Sequence, residues 1–119
     1  MPLEENDAGY LWDMLEAARG IVASLQNLAL EQYQADDNLR LATERRIEII
    51  GEAASRISQA VRHAHPEIPW RQIIAQRNVL AHNYGEIDDE LIWSVAATHV
   101  PQLITMLESM VPSTPPGAE

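Results

Sequence analysis

Arginine, histidine and tyrosine side chains stand close together in the stretch RNVLAHNYGEID, residues 77–88. On a helix that continues through residue 84, Arg77 and Tyr84 would lie on one face and His82 would lie beside it. An arginine can hold two oxygens of one phosphate, an imidazole can accept and donate a proton, and a tyrosine can hydrogen-bond to or stack on a base. Together they suit a phosphodiester that is held and protonated.

The same residues also have a purely structural interpretation. Arg77 could pair with Glu86 or Asp88, while His82 caps the end of the helix. Spacing alone leaves both interpretations open. The HAH stretch at residues 63–65 has two imidazoles but no third ligand nearby in the sequence, so we predict no metal site.

Length and composition limit the class of protein. The chain has 119 residues, enough for one domain, and it has no cysteine, which excludes disulfides and thiolate zinc sites. It contains no apolar run long enough for a membrane span, and its first residues, MPLEEND, are acidic and unlike a signal peptide. We therefore expect a cytoplasmic protein without membrane association.

The charges are unevenly distributed. A net charge of −10 argues against nucleic-acid binding by the chain as a whole. Residues 1–37 and 86–119 carry balances of −7 and −6, whereas residues 38–85 hold seven arginines against four glutamates, a balance of +3. The middle is therefore locally basic, although arginines and glutamates at helical spacing are also typical of a solvated, salt-bridged face.

The apolar pattern predicts helices from about residue 7 to residue 110. Asp7 is predicted to cap a first helix that ends near Tyr33. A second helix is predicted from residue 38 to about residue 63, stopped by Pro66. It carries more apolar surface than one buried face needs, and its small residues, Gly51 among them, permit close approach. Either it is the central helix of a monomer or its second face meets another copy, which we favour.

The remaining helices complete an all-α, up-and-down four-helix bundle. A third helix is predicted to begin at Pro69 and end at HNYG, where Gly85 can adopt the left-handed conformation. A fourth is predicted to start at Asp88 or Asp89 and to be kinked or split by Pro101 near residues 97–100.

Three stretches of the chain resemble a known family. IEIIGEAASRIS (47–58), HPEIPWRQIIAQRNVLAHNYGEID (65–88) and LIWSVAATHVPQL (91–103) resemble the HepT-like group of HEPN-domain proteins. The resemblance covers about residues 8–110, and it includes the R-x4-H-x-Y signature. It implies a helical domain over residues 8–110, between an N-terminal extension at residues 1–7 and a flexible proline-rich tail at residues 111–119.

The resemblance also implies a function. Members are metal-independent endoribonuclease toxins without a cofactor, and their catalytic arginine and histidine correspond to Arg77 and His82. They form homodimers whose two motifs face each other across a cleft, and they cut RNA, tRNA included, to leave 2′,3′-cyclic phosphates. In related type VII-like toxin–antitoxin pairs, an MntA-like minimal nucleotidyltransferase antitoxin transfers AMP to the tyrosine that corresponds to Tyr84, and it can bind the toxin in a larger hetero-oligomer.

Two further residues are candidates for supporting roles. Asn83 lies between His82 and Tyr84, and Glu52 could reach the site from the second helix and orient Arg77 or His82.

A different class of function also fits the sequence: a non-catalytic helical dimer that binds a nucleotide or selects substrates for a nucleotidyltransferase. In that case Tyr84 would be the important group.

Overall fold

The computed structural model describes residues 5–82 and 87–111, and the statements that follow refer to these ranges. The described residues form helices and no strand, which confirms the all-α class. The elements are α1 (Glu5–Leu25), α2 (Leu30–Ala35), α3 (Asp37–Arg56), α4 (Gln59–Ala64), α5 (Trp70–His82), α6 (Asp89–Ser94), a π-helical turn (Val95–His99) and α7 (Val100–Glu108).

Helix α3 lies at the centre of this arrangement. It packs against α1 on one side and against α5 on the other, while α7 packs against α1. Three apolar residues of α3, Ile47, Ile49 and Ala54, lie beyond the stripe that one buried face needs. Ile47 and Ala54 are buried within the chain, and Ile49 is half-buried. Most of the extra apolar surface of α3 is therefore used within one chain, so it is a weak argument for a second copy.

The first helix differs from the prediction at both ends. Asp7 is not a cap, because α1 already begins at Glu5, and the helix ends at Leu25 rather than near Tyr33. Just beyond this end, Asn27 has a φ of 65°, a left-handed conformation that asparagine tolerates better than most residues. Tyr33 instead belongs to the short helix α2, where its side chain is fully buried.

The predicted second helix is divided in two by a contact with Asp7. The buried Asp7 carboxylate accepts hydrogen bonds from the Ser58 backbone N–H and from the Ser58 hydroxyl, each at 2.8 Å. Ser58 in turn caps α4, since its Oγ accepts from the Val61 N–H at 3.3 Å. The prediction of one helix from residue 38 to 63 is therefore wrong: α3 ends at Arg56 and α4 begins at Gln59.

The last part of the fold starts as predicted. The Asp88 carboxylate caps α6 by accepting from the backbone N–H groups of Glu90 at 3.0 Å and Leu91 at 3.3 Å. The irregularity expected before Pro101 is a π-helical turn, in which the Val100 N–H bonds to the Val95 carbonyl. Proline has no N–H to continue an α-helical pattern, which is the physical reason for a local change there. The four-helix, up-and-down count stays a prediction.

No helix within the described ranges is both long enough and apolar enough to cross a membrane.

Replacing Asp7 by alanine should destabilise the fold by about 2–3 kcal/mol, because it removes two charge-assisted hydrogen bonds and leaves Ser58 partly buried without its acceptor. Urea unfolding followed by circular dichroism measures this change. Asp13→Ala is the matched control, since Asp13 is an exposed aspartate of the same helix, and it should cost no more than about 0.5 kcal/mol. Equal losses in the two variants would contradict the structural role of the Asp7–Ser58 contact.

Candidate active site

Arg77 is held against α3 by direct contact with a glycine. A Cβ atom placed on Gly51 would lie 2.2 Å from the Arg77 Cβ and 2.9 Å from the Ile73 carbonyl oxygen. Real Cβ atoms do not approach other heavy atoms so closely, so only glycine at position 51 allows α5 to lie where it does. The contact fixes the backbone from which the Arg77 side chain extends.

Sequence reasoning identified Gly51 as a place of close approach and left two neighbours open, with a second copy favoured over an element of the same chain. The small residues of α3 seemed suited to a second copy, whereas Gly51 is buried against α5 of the same chain. A glycine inside a helix lowers helix stability by about 1 kcal/mol relative to alanine, so its presence indicates that another element packs closely there. The sequence does not indicate which element that is.

The Arg77 guanidinium has no carboxylate partner among the described residues. It is half-buried, and its Nη1 donates to the neutral side-chain oxygen of Asn78 at 3.1 Å. Its Nε is buried and finds no acceptor within residues 5–82 and 87–111. The alternative pairing with Asp88 is not formed, since that carboxylate caps α6. The alternative pairing with Glu86 lies outside the described residues.

His82 is the last residue of α5, and it is exposed. It follows Arg77 by five residues, which on a regular helix separates the two side chains by about 7.5 Å along the axis and about 140° around it, so within one chain His82 does not lie beside Arg77 as expected. They make no hydrogen bond to each other in the described part of the chain. The predicted site residues Tyr84 and Asn83, and the turn at Gly85, lie outside the described residues.

Glu52 lies next to Gly51 but binds elsewhere. Its carboxylate is 3.6 Å from an Nη atom of Arg56, one turn further along α3. Within the described ranges it makes no hydrogen bond to Arg77 or His82, so its supporting role stays a prediction. His65 likewise has a local partner, with its Nδ1 3.3 Å from a Glu67 oxygen.

An open apolar groove lies beside the same helix. It has a volume of about 430 Å³ and runs between α3, α5 and α7, with Ile50, Ile73 and Leu103 among the residues that line it. His99 is exposed and lines this groove. Arg77 follows Ile73 by one helical turn, so the groove lies near the candidate site.

Comparison with known proteins identifies the family. The family described as "Ribonuclease HepT-like" matches residues 14–110, which is most of the chain. The chain belongs to the HepT-like ribonuclease family. Its reaction class is therefore the endonucleolytic cleavage of RNA, and the matched region contains Arg77, His82 and Tyr84.

Individual relatives match over similar lengths. "Probable ribonuclease HepT" of Thermococcus cleftensis is 31% identical over 108 residues, which cover 91% of this chain and 98% of the relative. "Putative RNase MJ1380" of Methanocaldococcus jannaschii is 32% identical over 94 residues, or 79% and 86% of the two chains. "Putative RNase TTE0752" of Caldanaerobacter subterraneus is 29% identical over 94 residues, or 79% and 84%. No solved structure matches the chain.

Replacing Gly51 by alanine should slow RNA cleavage by about 10²-fold, because the new methyl group moves α5 and with it the Arg77 side chain. The overpacking should also cost about 1–3 kcal/mol of folding stability. Cleavage assays at a temperature well below the unfolding transition separate the two effects.

Gly9→Ala is the matched control, since a Cβ at position 9 meets nothing within 4 Å. It should leave cleavage unchanged. If Gly51→Ala cleaves RNA as fast as Gly9→Ala, the position of Arg77 does not depend on this contact.

Proposed function

We propose that this protein is the toxin of a type VII-like toxin–antitoxin pair, a metal-independent endoribonuclease whose substrates include tRNA. Arg77 and His82 are its catalytic residues. The observation that carries the proposal is the state of Arg77: a half-buried guanidinium, locked to α3 at Gly51 and bonded only to a neutral amide among the described residues. A cation kept without a carboxylate partner is available to a phosphate oxygen.

The reaction needs a base and an acid. One imidazole removes the proton of the ribose 2′-OH, and the 2′-oxygen forms a bond to the adjacent phosphorus. The bond from phosphorus to the 5′-oxygen breaks, and a second imidazole gives that oxygen a proton. The products are a 2′,3′-cyclic phosphate and a free 5′-hydroxyl. Arg77 stabilises the extra negative charge on the phosphorane between these steps.

We assign the second imidazole to a second copy of the chain. A single copy supplies one histidine of the signature, and helix geometry separates His82 from Arg77 by about 140°. Two features offer apolar surface for such a contact. One is the apolar groove between α3, α5 and α7. The other is Val79, which is 39% exposed and lies between the two catalytic residues in the sequence. A homodimer would bring both signatures to one cleft.

Regulation centres on Tyr84. An MntA-like nucleotidyltransferase would transfer AMP from ATP to the tyrosine hydroxyl: the phenolic oxygen bonds to the α-phosphorus, pyrophosphate leaves, and the hydroxyl proton is released. The modification would place a negative phosphate and a bulky adenosine two residues from His82. Both the charge and the bulk would exclude RNA. The antitoxin can also bind the toxin directly, in a larger hetero-oligomer.

Replacing either Arg77 or His82 by alanine should reduce cleavage of RNA by about 10²–10⁴-fold in the presence of a metal chelator. The measurement is the rate of appearance of 2′,3′-cyclic phosphate ends. Arg45→Gln serves as a control, since Arg45 is exposed and paired with Glu48 at 2.9 Å. Activity that survives either substitution, or that the chelator abolishes, would refute the assignment.

A shared site predicts that one inactive subunit disables its partner. Mixing the wild-type protein with an excess of His82→Ala protein under conditions that allow subunit exchange should lower the activity well below that of the wild-type protein alone, because each mixed dimer keeps only one of the two imidazoles that the reaction needs. Sedimentation velocity gives the oligomeric state of the same samples. A monomeric wild-type protein that is fully active would contradict the dimer.

A further inference from the structure

The arginines of the described chain divide into two groups by the charge of their partners. Four of them lie within 4 Å of a carboxylate oxygen, so their positive charge is largely compensated locally. These pairs are Arg19 with Glu108 at 2.8 Å, Arg40 with Asp37, Arg45 with Glu48 at 2.9 Å and Arg56 with Glu52 at 3.6 Å.

The other group has no carboxylate partner within residues 5–82 and 87–111. Arg46 donates to the Ser24 hydroxyl at 2.8 Å, and Arg77 donates to an amide oxygen. Arg62 donates to backbone carbonyls, and Arg71 makes no hydrogen bond or ion pair in these ranges. A neutral acceptor does not neutralise the positive charge of a guanidinium. Three of these four arginines lie on α4 and α5, which concentrates the uncompensated positive charge there.

A basic groove lies between α4 and the first turns of α5. It is wide, with a volume of about 560 Å³, and Arg62, His63 and Arg71 line it together with the amide side chains of Gln59 and Gln72. None of the described residues that line it is an aspartate or a glutamate. In a chain with a net charge of −10, this groove is a local site of attraction for anions.

The two arginines of the groove differ in how firmly they are held. The Arg62 Nε donates to the Ile57 carbonyl at 3.1 Å, and one Nη donates to the Ser55 carbonyl at 2.8 Å. These bonds orient the guanidinium and leave further N–H donors for a ligand. Arg71 is exposed, so its side chain can adjust to a ligand that Arg62 has positioned.

We propose that this basic groove binds the sugar-phosphate backbone of the RNA substrate, at phosphates other than the one that is cut. The proposal rests on the ribonuclease function, because a polyanionic substrate is what the groove complements. Arg71 precedes Arg77 by six residues on α5, which separates them by about 9 Å along the helix axis and about 120° around it, so an oligonucleotide that contacts both must follow the surface of the helix. Cleavage depends on the signature residues, whereas the groove supplies affinity that an acidic protein otherwise lacks.

The test measures RNA binding as a function of salt. The full-length His82→Ala protein, used to prevent cleavage, binds a fluorescently labelled single-stranded RNA, and fluorescence anisotropy gives the association constant at several salt concentrations. Adding Arg71→Gln should make the negative slope of log K against log salt shallower by about 0.7, which corresponds to the loss of one phosphate contact. At 0.1 M salt this corresponds to a loss of affinity of about fivefold.

Two controls separate a phosphate contact from a change of fold. Arg71→Lys keeps the charge at the same place and should keep the slope of the parent. Arg45→Gln removes a compensated charge and should also leave the slope unchanged. A slope in Arg71→Gln equal to that of the parent contradicts the proposal, even if the same variant loses affinity for an acidic peptide. That peptide result would assign the groove to a protein partner instead.

The proposed catalytic roles and the groove can fail independently. If His82→Ala still cleaves RNA, the assignment of the catalytic histidine is wrong. The groove is then judged by the same salt dependence in whichever variant is free of cleavage. If cleavage is lost as expected but Arg71→Gln binds RNA with an unchanged slope, only the groove proposal is overturned.

Discussion

The contact between α3 and α5 at Gly51 is the constraint on which the rest of the candidate site depends. With the Arg77 Cβ 2.2 Å from the place of an absent methyl group, the two helices touch through backbone and Cβ atoms. Such a contact does not allow the two helices to move closer together, because protein interiors are packed as densely as organic crystals. The position of Arg77 is therefore set by the central helix of the fold and not by the loop that follows it.

Charge compensation explains how an acidic protein can act on RNA. Most acidic residues lie in the flanking thirds of the chain, where Glu108 and Asp37 pair with Arg19 and Arg40. On α3, Glu48 and Glu52 pair with Arg45 and Arg56. The arginines of α4 and α5 have no carboxylate partner within the described ranges. Arg62 donates to backbone carbonyls, Arg77 donates to an amide oxygen, and Arg71 makes no hydrogen bond there. The overall charge thus keeps polyanions away from most of the surface, while one region stays attractive to them.

Much of the fold was predictable from the sequence, and the two errors in helix bounds have different causes. Helical periodicity, the Asp88 cap and the disturbance before Pro101 are local features, and each was found where expected. The break at Ser58 and the early end of α1 are set by other factors. Asp7 acts across 51 residues of sequence, and the left-handed conformation of Asn27 competes with an apolar pattern that would continue the helix. Apolar periodicity indicates neither a hydrogen-bond partner that is distant in sequence nor a left-handed backbone conformation.

The site was predictable in its residue types but not in its geometry. Arg77 and His82 stood out because guanidinium and imidazole groups near a helix end are unusual in an apolar segment. The role of Gly51 could not be predicted from the sequence, since a glycine in a helix indicates close packing but does not indicate which element packs against it. The same holds for Arg71, which looked like any exposed arginine until its partners and those of the other arginines were compared. Which cations are neutralised is a property of tertiary structure.

A double-mutant cycle between Gly51→Ala and Arg77→Ala tests the central claim most directly. The rate constant for RNA cleavage is measured in the four proteins, with the free energy of unfolding measured alongside. If Gly51 acts by positioning Arg77, Gly51→Ala slows the wild-type enzyme strongly but hardly changes the residual rate of Arg77→Ala. Its effect on unfolding persists in both backgrounds, because alanine at position 77 keeps the Cβ that collides. An equal reduction of the cleavage rate in both backgrounds would contradict the account.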